Sequence, residues 1–251
     1  MNILKLPALL LLIYSTCIRA QNFSYIDFSQ FKEGDLLFQD LDCGELCDAI
    51  EKVTQGHQGL NVSHVGMVVK HKDSLWVIEA YSKKVALISL PDFMGRTVNS
   101  DGDPKVFGGR LRSGYGNLAR KASEESKIYL GVPYDDSFAS GLDKIYCSEL
   151  IYYTYKFANK NIEVFPLQPM TFKDPDTGVT LPAWENYFSE LKMKVPENEL
   201  GCNPAGISRS DKLDIFFSFG DFLKSEKEKI KENEKGMKHS LCVQERGKKK
   251  E

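Results

Sequence analysis

Between Gly34 and Leu111 the apolar residues fall into short runs of strand length rather than long helical stretches. Gly34-Asp35 reads as a turn into a buried strand at Leu36-Leu37-Phe38. Val, Ile, Met and Trp crowd two further runs at 63–69 and 75–80, and a third at 85–90 stops at Pro91. A further strand is expected at 105–111. Helical spacing lies between and after these runs. Asp42 is placed to cap a helix over 43–54, with Leu46, Ile50 and Val53 on one face. A second helix is expected over 117–130, closed by Gly131-Val132-Pro133. In a third, opening at Cys147, the residues Leu150, Ile151, Thr154, Tyr155 and Ala158 continue one stripe at intervals of three and four. Residues 160–210 carry prolines at 166, 169, 175, 182, 196 and 204 and read as loops. Strands gathered early and helices later describe an α+β fold, an antiparallel sheet packed against helices.

The two ends break from this pattern. Lys5 precedes an apolar run opened by Leu6 and too short to span a bilayer comfortably, and small Ala20 precedes Gln21 and polar sequence. That order predicts a secretory signal peptide at 1–20, a secreted or periplasmic protein, and no stable membrane insertion after cleavage. A retained anchor needs a longer apolar run, and Tyr14-Ser15-Thr16 is a poor lipidation box for Cys17. From Asp221 onward Lys and Glu alternate, so 221–251 is expected to be a charged tail, partly helical or disordered, which leaves 21–220 as the domain. The formal charge of −2 comes from mixed signs and offers no footprint for nucleic acid.

Export changes how the cysteines read. Cys43, Cys47, Cys147, Cys202 and Cys242 remain after cleavage, an odd number for an oxidising compartment, and a working thiol is one reason to keep one free. Cys202 with Cys242 is the favoured pair. Cys43 and Cys47 stand four apart in the expected helix, where side chains share a face but suit a disulfide poorly. The sequence leaves the connectivity open.

Cys147 opens its helix, where unpaired backbone N–H groups and the dipole favour a thiolate and can bind an oxyanion. On the residues alone, a small core residue on an apolar stripe is an equal reading. His64 has a partner in prospect. If residues 70–73 form the hairpin loop, Val69 faces Ser74, Met67 faces Trp76, Gly66 faces Val77 and His64 faces Glu79. A carboxylate there fixes the imidazole tautomer and favours its charged form, as a general base requires.

Four blocks together carry a resemblance. Gly34-Asp35-Leu36-Leu37-Phe38, Ser63-His64-Val65-Gly66-Met67-Val68, Val77-Ile78-Glu79-Ala80 and Tyr146-Cys147-Ser148-Glu149-Leu150 are similar to the YiiX/YebB-like branch of the NlpC-type papain-fold cysteine hydrolases. Gly201-Cys202-Asn203-Pro204, with Ser208 and Ser210 beyond, resembles the later region of that branch. The resemblance implies a circularly permuted papain-like domain, with histidine before cysteine, and a Cys147–His64–Glu79 triad. The extra cysteines at 43, 47 and 202 and the charged tail depart from it.

Three rivals compete. His57, His64 and His71 recur every seven residues, a spacing that alternates faces in an extended chain and suits no zinc site, so neither metal nor other cofactor is expected. Gly114-Tyr115-Gly116-Asn117-Leu118-Ala119 matches a dinucleotide-binding fingerprint but has no buried strand after its helix. A peptide- or lipid-binding module without turnover is the third. The favoured substrate is a small peptide or N-acyl amino acid cleaved at an amide, with an acyl-lipid esterase or acyltransferase as the alternative. Aromatic and Pro-rich sequence between Phe157 and Tyr187 is expected to wall the cleft, with Tyr146 as a substrate contact and Tyr152 and Tyr153 as further aromatic edges. Nothing in the sequence marks an oligomeric state.

Overall fold

The structure, a computed structural model, describes residues 25–218; the expected signal peptide and the tail at 221–251 lie outside the described residues. In chain order the elements are β1 (Leu36–Gln39), α1 (Glu45–Val53), β2 (His64–His71), β3 (Ser74–Tyr81), β4 (Lys84–Ser89), α2 (Leu90–Gly95), β5 (Val106–Leu111), α3 (Leu118–Ser126), α4 (Cys147–Ala158), β6 (Gln168–Pro169), α5 (Pro182–Glu190), β7 (Leu200–Gly201), α6 (Pro204–Ser208) and β8 (Leu213–Ser218). Six strands form one antiparallel sheet in the order β4-β3-β2-β1-β5-β8, and β6 pairs with β7 apart from it. The fold is α+β.

The sheet is buried on both faces, which is why its central strands read as apolar runs without alternation. On one face Phe38, Met67 and Ile78 pack against Leu150, Ile151 and Tyr155 of α4. On the other, Leu37, Val68 and Val77 meet Phe93 and Met94 of α2. Each such buried side chain contributes roughly 1.5–3 kcal/mol relative to exposure. Gly66 makes the second contact possible: a Cβ there would lie 2.5 Å from Val77 Cγ1 and 3.0 Å from Phe93 Cε2. A third cluster joins Ala49 of α1 to Phe172, Trp184 and Phe188.

The β2–β3 hairpin differs from expectation. Its strands extend to His71 and from Ser74, leaving Lys72-Asp73 as a two-residue turn with Lys72 at φ +53°. Met67 pairs with Ile78, Val69 with Trp76 and His71 with Ser74, a register offset by two residues. The tighter turn adds two ladder pairs, and an offset of two leaves every side chain on its expected face.

The cysteine reading is corrected as well. α1 starts beyond Gly44, whose φ of +78° turns the chain into the helix in place of the expected Asp42 cap. Cys43 therefore stands outside the helix, its Cα is 5.3 Å from that of Cys47, and the two form a disulfide. Cys147 and Cys202 are free thiols, and Cys242 lies outside the described residues. Proline starts helices here: Pro91, Pro182 and Pro204 each occupy the first turn of a helix, where a missing N–H costs nothing.

Candidate active site

His64 is the first residue of β2 and Glu79 lies on β3, both buried. Continuing the observed register from Met67 and Ile78 puts Tyr81 opposite His64. The imidazole packs edge-on to the Tyr81 ring, centroids 5.3 Å apart. Glu79 is then the diagonal neighbour on the same face, within reach of a long side chain. Its Oε2 lies 2.6 Å from His64 Nε2. That leaves Nδ1 clear of the carboxylate, and Cys147 lies near enough to act on the imidazole electrostatically. The structure thus pairs His64 with Glu79 and brings Cys147 near them, although the observed strand register is offset by two residues from the one that pointed to Glu79.

Two residues the sequence did not single out support the His64–Glu79 pair. Arg96, just past α2, grips Glu79 with both guanidinium nitrogens, Nη1 donating to Oε2 at 2.9 Å and Nη2 to Oε1. Its guanidinium carbon lies 4.0 Å from the Tyr81 ring centroid. Gln39 accepts from Arg96 Nη1 at 3.3 Å and donates from Nε2 to the Phe93 carbonyl at 2.9 Å. The sequence pattern assigns no element to 91–104, so nothing in it directs Arg96 to Glu79.

Electrostatics follow from these contacts. Burial pulls His64 down, but the nearby Cys147 and the hydrogen-bonded Glu79 carboxylate outweigh it and raise the imidazole to about 9. Burial likewise pushes Glu79 up, and His64 with Arg96 overcome it, holding the carboxyl down to about 2. Imidazolium and carboxylate therefore coexist across the neutral range.

The block around Cys147 is anchored at several points. Tyr146 OH accepts from the Cys202 amide at 3.3 Å, and Ser148 Oγ donates to the Cys202 carbonyl at 3.0 Å. The Gly141 amide donates to Glu149 Oε1 at 3.1 Å, tying down the loop that leads into α4. Burial raises the Glu149 carboxyl to about 8.

Cys147 opens onto a cavity of ≈ 70 Å³ walled by Ile50, Val53, Phe138, Phe172 and Trp184. Tyr146 lines it with its ring. Tyr152 and Tyr153 do not: Tyr152 OH donates to Glu163 at 2.6 Å and Tyr153 stacks on Phe157, because both face away from the thiol along α4. Tyr134, another residue the sequence did not mark, lines the cavity, and burial with the nearby Cys147 charge pushes its phenol well above the ordinary value, so it remains a donor.

The dinucleotide fingerprint is a turn: Ser113–Tyr115 is a short 3-10 helix and Gly116 has φ +56°. No parallel strand pair accompanies it among the described residues.

Uncharacterized protein YiiX of Escherichia coli (strain K12) is 29% identical over 149 residues, spanning 59% of this chain and 67% of that protein. The crystal structure of metalloprotein yiiX from Escherichia coli O157:H7 is similar with a TM-score of 0.62 and 25% identity, covering 76% of this chain and 98% of that one. Residues 30–216 match the Peptidase_C92 model, described as permuted papain-like amidase enzyme, YaeF/YiiX, C92 family. With its histidine strand ahead of its cysteine helix, the chain belongs to the C92 family of permuted papain-like amidases.

Proposed function

We propose that this chain is an exported cysteine amidase that hydrolyses an amide in a small peptide or N-acyl amino acid. The observation that carries the reading is the buried His64–Glu79 pair with Cys147 beside it, at the start of a helix and on the wall of a cavity. Cys147 attacks the substrate carbonyl as a thiolate, with the His64 imidazolium as its counter-ion. The carbonyl π electrons move to oxygen, and the oxyanion takes hydrogen bonds from the Cys147 backbone N–H, which has no intrahelical acceptor, and the Tyr134 hydroxyl. As the tetrahedral adduct collapses, the C–N bond breaks and His64 Nδ1 gives its proton to the departing amine. Neutral His64 then takes a proton from water, which attacks the thioester and releases the carboxylic acid and the thiolate. Glu79, held by Arg96, keeps the ring oriented through both steps.

One structural neighbour is called a metalloprotein. Among the described residues no group of three or more His, Cys, Asp or Glu side chains is placed to hold a metal ion. The acidic pair Asp40 and Asp42 is bridged by Lys105, at 3.4 and 2.6 Å, so it does not fit a cation. No step runs through a metal.

Initial rates on short peptides, N-acyl amino acids and short-chain esters test the reading. Amide turnover that disappears in Cys147→Ala is expected. Exclusive ester or lipid turnover would replace the amide by an acyl-lipid substrate, and full activity in Cys147→Ala would remove the thiol mechanism. Export is tested by intact mass, with Gln21 expected as the mature first residue.

A further inference from the structure

The cavity beside Cys147 does not end at the thiol. It shares Met170, Thr171, Cys202 and Asn203 with a wider groove of ≈ 590 Å³. The two halves differ in chemistry. The thiol side is walled by aromatic and aliphatic side chains, while the turn after α6 brings Arg209, Asp211 and Lys212 to the groove, with Gln168 also on its wall. Arg96, Arg110 and Arg112 each hold a carboxylate of this chain. Arg209 and Lys212 make no ion pair or side-chain hydrogen bond among the described residues, and neither does Asp211. The three together leave one positive charge facing the groove, and Lys212 is half-buried, so its field is less screened by water.

We infer that this groove receives a free carboxylate carried on the amine half of the substrate, which makes the substrate an amide of an apolar acyl group with an anionic amino acid or peptide. This rests on the amidase reading above. The division of halves follows from the chemistry. In thiol catalysis the acyl half stays bound to Cys147 while the amine half departs and water takes its place. The narrow apolar cavity suits the half that stays, and the wide polar groove suits the half that leaves. A planar guanidinium beside an ammonium is a carboxylate-binding pair, and the single Asp211 weakens it enough to release the product.

Two probes identical but for charge test this, N-butyryl-alanine and N-butyryl-alaninamide. For the unmodified protein the acid should exceed the amide in kcat/KM by roughly five- to tenfold, mostly through KM, as two partly exposed ion pairs allow. The ratio should fall toward one in Arg209→Gln/Lys212→Gln and in high salt, and rise in Asp211→Asn. Calorimetric binding of both probes to Cys147→Ala should repeat the preference without turnover. Equal treatment of the two probes by the unmodified protein, or an unchanged ratio in the double variant, overturns the inference. Preferential binding of the acid without hydrolysis of either probe would uphold the groove while rejecting the amidase reading.

Discussion

Replacing Glu79 by Gln removes one negative charge from between His64 and Arg96 while keeping the side chain's shape. In the intact protein His64 stands at about 9 against an ordinary 6.5, despite burial pulling it down. That gap corresponds to about 3 kcal/mol in favour of the imidazolium. Cys147 and Glu79 supply it, so losing the carboxylate leaves one contributor against the same desolvation. With His64 back near its ordinary value, about one ring in thirty stays charged at pH 8, against about nine in ten before. At pH 6 most rings are charged in both proteins. The expected result is a defect in kcat/KM that grows from a few-fold at pH 6 to about 30-fold at pH 8, with the alkaline limb moved to lower pH. The rate of Cys147 alkylation by iodoacetamide should shift in parallel. Arg96, paired with Glu79 and largely buried, loses its counter-charge in the same variant. Adding Arg96→Gln should recover stability in urea but leave the alkaline limb shifted, which separates folding from ionisation. An alkaline limb that does not move in Glu79→Gln would refute the electrostatic argument.

Stability should follow the same pair. Because His64 is raised, its contribution is full below its ordinary 6.5 and fades as pH climbs through about 9, whereas lowered Glu79 contributes fully above its ordinary 4.5 and fades as pH falls through about 2. Thermal melts should therefore show the largest gap between the intact protein and Glu79→Gln from about pH 4.5 to 6.5. Tyr134→Phe should lower kcat by about 10- to 100-fold with little change in melting temperature, if its hydroxyl serves the oxyanion; an unchanged kcat removes that role. Gly66→Ala should cost roughly 1–3 kcal/mol in urea unfolding, because the new methyl meets Val77 and Phe93, and activity should fall as Phe93 shifts beside His64. Replacing Cys43 and Cys47 by Ala should cost no more than about 2 kcal/mol, since the loop they close is short, and mass spectrometry of the intact protein after alkylation should count the pair as blocked.

Local chemistry in the sequence was enough for the elements whose signals are self-contained. The stripe from Cys147 to Ala158 is a helix over those same residues because its three-and-four spacing meets no breaker and its apolar face has a sheet to cover. The apolar runs around Val65 and Val77 became strands because they are of strand length and packing covers both faces of the sheet there. His64 and Glu79 came to one face even with the register misjudged, since strand parity survives a shift of two. What the sequence could not decide depended on groups distant along the chain. Arg96 reaches Glu79 only because Pro91 starts a helix that turns the backbone across the sheet. Cys43 pairs with Cys47 only because Gly44 takes a positive φ. The cavity wall joins Ile50, Phe138 and Trp184, and Tyr146 and Ser148 both meet Cys202, 56 and 54 residues away. Periodicity reports which face of an element is apolar. The partner of that face is chosen by packing density and by the need to satisfy every buried polar group, and both are properties of the closed fold.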